Sequence, residues 1–96
     1  MFARVTTTQG SPELYDQTIR YVQEQLIPTL KQMPGLKGAY ILGDRQSGKG
    51  ISITLWETEE AMNATAQMAN QVRSQSATDT SGAIQGVQGY EVVGQI

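Results

Sequence analysis

The stretch Gly50-Ile51-Ser52-Ile53-Thr54-Leu55-Trp56-Glu57 decides the fold of this chain. Nearly every position holds a β-branched or large residue, and apolar and polar residues alternate with a period of two. Ile51, Ile53 and Leu55 therefore lie on one side of a strand, while Ser52, Thr54 and Trp56 lie on the other. The stretch predicts a central strand with an apolar face and a small, polar face that ends in the only tryptophan.

The segment before this strand predicts a strand, a long helix and a second strand. Residues 2–8 are short and β-branched, and Ser11-Pro12-Glu13 is typical of a helix start. Apolar residues then recur at helical spacing as far as Met33, which predicts one helix up to Pro34-Gly35. Pro28 has no N–H to donate, so we expect a kink near Ile27. Residues 36–43 predict the second strand, and Asp44 to Lys49 a hairpin loop.

The segment after the central strand predicts a second helix, a long loop and a fourth strand. Thr58-Glu59-Glu60 is a helix start, because threonine caps and the acidic residues match the positive end of the helix dipole. Residues 74–86 are polar and predict a loop, and residues 87–93 predict a strand. The inner stripe of the second helix comprises Ala61, Met62, Thr65, Met68, Ala69 and Val72.

The element order is β-α-β-β-α-β, which predicts a ferredoxin-like α+β fold with a four-stranded antiparallel sheet. Right-handed crossovers place the third strand between the first and second, and the fourth outside the first. Both helices then cover one face, and residues 1–96 form a single domain. The other face would expose apolar side chains, so we expect two sheets to face each other in a homodimer.

Composition excludes several classes of function. The net charge is −2 and the seven basic residues are scattered, so nucleic acid is not an expected partner. The chain has no cysteine and no histidine, which removes zinc–cysteine sites, histidine bases and Ser-His-Asp catalysis. No segment is long and apolar enough to span a membrane, and we expect a cytoplasmic protein without a cofactor or metal.

The hairpin Gly43-Asp-Arg-Gln-Ser-Gly48-Lys49-Gly50 nearly matches a phosphate-binding loop. Glycine stands where that motif needs a hydroxyl, and a strand follows instead of a helix. The interpretation that fits is a hairpin whose glycines permit positive φ.

The candidate site lies around Trp56, with Ser52 and Thr54 on the same face of the strand. Small hydroxyl side chains leave space inside a sheet, and space beside an aromatic wall is typical of a small-molecule pocket. The alternative is that Trp56 is a core aromatic. Pattern alone leaves open whether Arg4 and Thr6 share this face or the Ile51 face. Further candidates are Tyr40, Tyr90 and Met62, although Met33, Met62 and Met68 also fit the core.

The whole chain resembles the antibiotic biosynthesis monooxygenase family of dimeric α+β barrels. The residues that carry the resemblance are Ile27-Pro28-Thr29-Leu30, Pro34-Gly35-Leu36-Lys37-Gly38-Ala39-Tyr40, Asp44 to Gly50, and Ile53-Thr54-Leu55-Trp56-Glu57-Thr58-Glu59-Glu60-Ala61. The resemblance implies a cofactor-free oxygenase of aromatic or quinol substrates, with Trp56 at the family tryptophan. The haem-degrading branch uses a first-strand asparagine and a second-helix histidine. This chain has Thr6-Thr7-Thr8 and no histidine there, so haem degradation is not expected.

Two functions remain open from the sequence. In the first, a small aromatic or quinol substrate reduces oxygen in a dry cavity, with Trp56 as its wall and Arg4, Tyr40 or a first-strand threonine orienting the substrate oxygen. Thr6, Ser52, Thr54, Tyr90 and Met62 would line that pocket. The general base is left open: Glu91, a charge inside a predicted strand, is a candidate, and the alternative is that it lies on an exposed edge. In the second, a non-catalytic or stress-related dimer holds a small apolar ligand without turning it over.

Overall fold

Four antiparallel strands form the sheet, with the stretch quoted above at its centre. The structure is a computed structural model that describes residues 1–96. Its strands are β1 (Phe2–Gln9), β2 (Leu36–Gly43), β3 (Lys49–Trp56) and β4 (Ala83–Glu91). Their order is β2-β3-β1-β4 and every neighbouring pair is antiparallel. The predicted ferredoxin-like α+β fold and its strand order are confirmed.

The first helix changes its hydrogen-bond pattern ahead of Pro28. A 3₁₀ turn (Pro12–Leu14) leads into α1 (Tyr15–Tyr21), a π-helical segment (Val22–Leu26) and α2 (Ile27–Leu30). The Ile27 N–H donates to the Val22 carbonyl, five residues back. This wider turn accommodates the proline ring, which would otherwise clash with the carbonyl four residues before it. The predicted irregularity is therefore present as a π-helical turn.

The second helix is broken at Thr65, where one continuous helix was predicted. It consists of α3 (Glu59–Ala64) and α4 (Ala66–Thr80). The predicted cap is confirmed, because the Thr58 hydroxyl accepts from the Ala61 N–H at 3.0 Å. At the break, the Thr65 hydroxyl donates to the Ala61 carbonyl at 2.9 Å. A threonine hydroxyl that bonds back in this way bends or interrupts a helix.

The predicted loop at 74–86 is wrong. The helix α4 continues to Thr80, Ser81 turns the chain with φ 55°, and β4 begins at Ala83. The hydroxyls of Thr78 and Thr80 donate to carbonyls four residues back, at 3.1 and 2.7 Å, so polar residues are accommodated on this helix. β4 accordingly starts and ends earlier than the predicted strand at 87–93, and it pairs with β1 through a bulge beside Thr7.

The core lies between the helices and one face of the sheet. Its buried apolar cluster comprises Leu30, Met33, Trp56, Met62 and Ala69. Met33 and Met62 are core residues as predicted, but Met68 is exposed. The buried stripe runs through Met62, Thr65 and Ala69 at spacings of three and four residues, and Met68 lies beside it and faces outward.

The other face of the sheet is uncovered in the protomer. Tyr40 pairs with Ile53 in the register, Leu42 with Ile51, and Tyr90 with Ala3. Tyr40 is 63% exposed and Tyr90 54% exposed. This apolar surface on the uncovered sheet side is called the bare face below. None of the helices is long and apolar enough to cross a lipid bilayer.

Candidate functional site

The register of β1 and β3 decides which residues share the helix-covered face. Arg4 lies opposite Thr54, and Thr6 lies opposite Ser52. Directly opposed residues in antiparallel strands project to the same side. Arg4 and Thr6 therefore lie on the face of Ser52, Thr54 and Trp56, which the sequence pattern left open.

A cavity of about 280 Å³ lies between this face and the helices. Ligand pockets typically begin at about 300 Å³, so the space suits a small, ring-sized molecule. Arg4, Thr6, Ser52 and Thr54 line its sheet side. The Tyr21 hydroxyl lies 3.3 Å from the Ser76 hydroxyl and joins the first helix to α4. Four of the eight predicted site residues thus meet at one cavity.

The helix α4 contributes a stripe of small and polar residues to the cavity. The stripe follows helical spacing, and its small members leave the space that larger residues would fill. It explains why the segment looked like a loop in the sequence: its inner face borders a cavity and needs no large apolar residues. The stripe comprises Ala69, Val72, Arg73, Ser76, Ala77 and Thr80.

Arg4 is a buried cation among the residues that line this cavity, with 7% of its surface exposed. Its Nη2 donates to the carbonyl of Met62. Its guanidinium carbon lies 5.0 Å from the centre of the Trp56 ring, a cation–π distance. Its Nη1 is buried and has no hydrogen-bond partner. The Arg4 guanidinium is therefore held in place by the Met62 carbonyl and the Trp56 ring, but no anion neutralises its charge.

Burial perturbs the two arginines that line the cavity. Burial lowers the pKa of Arg4 from its ordinary value, and the positive charge of Arg73 lowers it further. Burial likewise lowers the pKa of Arg73. Both shifts have the direction expected when a charged base leaves water without an anion beside it.

Trp56 has no exposed surface and does not line the cavity. Its Nε1 donates to the Thr54 hydroxyl at 3.0 Å, and its ring supports the Arg4 guanidinium. Of the two interpretations left open, the geometry favours the core aromatic. Trp56 acts on the site through Arg4 and Thr54.

Three further predicted site residues lie elsewhere. Tyr40 and Tyr90 are on the bare face, across the sheet from the cavity. Met62 is packed in the core and reaches the site through its carbonyl, which accepts from Arg4. Glu91, the candidate base, is exposed on the edge strand β4. None of Tyr40, Tyr90 and Glu91 lines this cavity.

The residues around the cavity include cations and no carboxylate. Arg4, Lys49 and Arg73 line it, whereas none of the nine acidic residues does. Sequence reasoning misses Arg73, because the polar composition of residues 74–86 predicts a loop and places the end of the helix beside this residue. The signal that identifies it is the spacing of Ala69, Val72, Arg73 and Ser76, which continues one helix face into the polar segment.

Comparison with known proteins gives a relative of unknown function. The chain is 39% identical to an uncharacterized protein of Mycobacterium tuberculosis, Rv2557, over 77 residues. The aligned part covers 80% of this chain and 34% of the relative, so the chain spans about a third of that protein's length. No family model matches the sequence.

Solved structures share the fold at low identity. A candidate antibiotic biosynthesis monooxygenase of Deinococcus radiodurans superposes with a TM-score of 0.73 at 16% identity, over 100% of this chain and 96% of that one. The ActVA-Orf6 monooxygenase of Streptomyces coelicolor, solved with the ligand Nanaomycin D, gives 0.72 at 15%, over 99% and 89%. The haem degrader MhuD of Mycobacterium tuberculosis, with two haems in its active site, gives 0.72 at 15%, over 100% and 99%.

The residues of this cavity do not match a haem site. Haem iron is most often held by an imidazole or a thiolate, and this chain has neither histidine nor cysteine. The cavity instead offers hydroxyls and guanidinium groups. The chain has the ferredoxin-like fold of the antibiotic biosynthesis monooxygenases and is similar to them at the level of the fold.

Proposed function

We propose that this protein is a cofactor-independent, monooxygenase-like protein that acts on a small aromatic phenol or quinol. The observation that carries the proposal is the cavity of about 280 Å³ beneath the helices, with the buried cation Arg4 among its lining residues. Similarity of fold to the ActVA-Orf6 monooxygenase supports the reaction class. The substrate class rests on the size and lining of the cavity.

The proposed reaction needs only the substrate and molecular oxygen. A phenol with a free ring C–H para to its hydroxyl reacts with O₂ to give a quinone and water. One oxygen atom bonds to the ring carbon, the other leaves as water with the two hydrogens that the substrate loses, and the substrate supplies all four electrons. The substrate must be present as its phenolate, because that form donates electrons most readily.

The protein's part in this reaction is electrostatic. Arg4 would hold the substrate oxyanion in a site that excludes water, where a fixed cation stabilises negative charge far better than in bulk solvent. Thr6, Ser52 and Thr54 would orient the ring oxygen by hydrogen bonds. Trp56 would keep the guanidinium in place through the contact at 5.0 Å. Trp56 is thus a positioning residue in this scheme.

An oxygen electrode tests the proposal at alkaline pH, where the probes 1-naphthol and 1,5-dihydroxynaphthalene are partly ionised. We expect oxygen uptake above the rate without protein, and one atom of ¹⁸O from ¹⁸O₂ in the quinone product. Trp56→Phe should raise KM more than it changes kcat, because it loosens Arg4 and leaves the substrate oxygen untouched. A Trp56→Phe protein that oxidises both probes at the wild-type rate removes Trp56 from the scheme. No uptake with either probe overturns the monooxygenase proposal.

A second candidate function is ligand binding without turnover. The observation that favours it is the lack of any carboxylate, imidazole or thiol around the cavity, which leaves only Tyr15, Tyr21 and Lys49 as groups that could move a proton besides the arginines. A ligand that binds only the folded state stabilises it by RT ln(1 + [L]/Kd), about 2.7 kcal/mol at a hundredfold excess over Kd. Thermal stabilisation by the naphthol probes without oxygen uptake would favour this function over the first.

The bare face supports a homodimer as the functional unit. Tyr40, Leu42, Ile51 and Tyr90 are exposed there in the protomer. A chain of this size buries a modest core, and covering this face with a second copy would remove further apolar surface from water. A symmetric pair needs only one self-complementary surface. We expect the two sheets to pack face to face, which leaves each cavity within its own protomer.

A further inference from the structure

The cavity holds arginines whose charge has no counter-ion. The two ion pairs of the protein join Lys37 to Glu57 at 3.6 Å and Arg45 to Asp16 at 2.8 Å, and all four groups are exposed. Arg4 is buried and Arg73 half-buried, and neither takes part in these two pairs. A buried arginine is normally paired, because removing an uncompensated charge from water is costly.

The sign of the charge around the cavity opposes that of the whole chain. The chain carries nine acidic and seven basic residues, yet three cations and no acid line this cavity. A concave site lined by one sign of charge concentrates its field and attracts ligands of the opposite sign. The Nη1 of Arg4, one of the lining residues, is buried and has no hydrogen-bond partner.

We infer that this cavity recognises the oxyanion of its ligand, an apolar ring-sized molecule bearing one carboxylate or phenolate that Arg4 and Arg73 hold. This inference rests on the proposed function and deepens it, since it names the class of ligand. Guanidinium groups suit the task because they present several donors in a plane that matches a carboxylate or a delocalised oxyanion.

The lack of any carboxylate or imidazole around the cavity also favours a ligand that is already an anion. A neutral phenol would have to lose its proton inside the site before it could reduce oxygen, and no carboxylate or imidazole is there to accept it. A ligand that is already an anion at neutral pH needs no such group. The site therefore selects acidic phenols and aromatic acids, and discriminates against neutral rings of the same shape.

Calorimetric titration without oxygen tests the inference with two matched pairs of probes. The first pair is 2-naphthoate and 2-naphthamide; the second is 4-nitro-1-naphthol, which is ionised at neutral pH, and its neutral methyl ether. We expect at least one anion to bind about tenfold or more tightly than its neutral partner. The pair with the larger ratio of affinities, anion over neutral partner, shows whether the site prefers a carboxylate or a phenolate.

Charge-matched variants separate the cavity from the rest of the surface. Arg73→Gln should remove most of the preference for the anion and leave the affinity for the neutral probe unchanged. Arg20→Gln makes the same charge change on an exposed residue outside the cavity, and it should keep the preference. Equal affinity for anion and neutral probe in the wild type, no binding of any probe, or equal losses in Arg73→Gln and Arg20→Gln would overturn the inference.

The result of the binding measurements does not depend on whether the protein turns a substrate over. Charge-selective binding without oxygen uptake by any phenol supports the oxyanion site and overturns the monooxygenase proposal. Oxygen uptake combined with equal binding of anions and neutral rings supports the monooxygenase proposal and overturns the oxyanion site.

Discussion

A single residue, Arg4, links the stability of this protein to its function. Its guanidinium is buried, stacks on Trp56, and leaves Nη1 without a partner. A fold selected for stability alone would place an apolar side chain on this strand. Buried charges that lack a partner are typical of sites where stability has been given up for ligand binding.

Arg4→Met should therefore stabilise the ligand-free protein, by about 1–2 kcal/mol in the free energy of unfolding. The Met62 carbonyl would keep a donor, since the Thr65 hydroxyl also bonds to it at 3.1 Å. Urea unfolding followed by circular dichroism measures the change. A variant that is less stable than the wild type would show that the contacts of Arg4 outweigh the burial of its charge.

Thr54 is a second single residue with a testable effect, because its hydroxyl accepts the hydrogen bond of the Trp56 indole. Thr54→Val keeps the shape but removes the acceptor of the Trp56 Nε1 hydrogen bond, which is 3.0 Å long and buried. An unsatisfied buried donor costs about 1–3 kcal/mol, so the free energy of unfolding should fall by that amount. Thr54→Ser retains the hydroxyl and should lose much less. Equal losses in the two variants, measured in urea, would mean that packing and not the hydrogen bond is the cause.

At the scale of elements, the β2–β3 hairpin is fixed by close backbone contact with the turn that follows β1. The Gly10 N–H donates to the Gly48 carbonyl at 2.9 Å, and Gly48 has φ +79°. The near match to a phosphate-binding loop is thus a strand–turn–strand hairpin that packs on its neighbour. Its glycines serve a close approach of two chain segments.

Gly48→Ala should destabilise the fold by about 1–3 kcal/mol, because its Cβ would overlap the Gly10 carbonyl oxygen at a positive φ. Gly94→Ala is the matched control, since a Cβ there meets nothing within 4 Å. Thermal unfolding of both variants checks this. The hairpin interpretation fails if the two substitutions lower Tm equally.

Asp44 makes the stability of the same hairpin depend on pH. Its carboxylate accepts from the Ser47 hydroxyl at 2.9 Å and from the Gln46 N–H at 3.0 Å. These hydrogen bonds, that of Ser47 first, lower the pKa of Asp44 below its ordinary value. A depressed pKa in the folded state means that the stabilisation is present above the unfolded pKa and is lost as pH falls through the folded one.

Asp44→Asn should accordingly lower Tm at neutral pH, because the amide mimics the protonated carboxyl. The gap between variant and wild type should close as the pH falls below the folded pKa of Asp44. Thermal unfolding between neutral pH and strongly acidic pH measures it. A gap that is constant over this range would mean that the ionised form of Asp44 does not stabilise the hairpin.

For the whole molecule, the two faces of the sheet have different tasks. One face carries the core and the cavity under the helices, and the other carries exposed apolar residues. This division places the ligand site and the proposed dimer surface on opposite sides of one layer of strands. Tyr40 and Tyr90 on the bare face do not line the cavity, so they can be changed without touching it.

Sedimentation equilibrium should give about twice the chain mass of 10.5 kDa at micromolar concentration. Tyr40→Glu introduces a charge into the bare face and should shift the protein to the single-chain mass. Met68→Glu places the same charge on an exposed residue of α4, away from the sheet, and should leave the dimer intact. A folded wild-type protomer at the single-chain mass would rule out the dimer.

The sequence by itself determined the first three strands and the starts of the helices. These features follow from local patterns: the alternation around Ile53, the cap at Thr58, and the proline that gives the π-helical turn ahead of Pro28. Each depends on residues that are close in the chain, so a short window contains the whole physical cause.

Only the tertiary structure decided which residues form the site. The face of the sheet on which Arg4 and Thr6 lie depends on the register between β1 and β3. A shift of one residue would have moved both to the bare face. The same register separates Tyr40 and Tyr90 from Trp56. The helix from Ser74 to Thr80, and with it the place of Arg73, follows from packing around a cavity, where an inner face of small and polar residues is stable although its sequence resembles a loop.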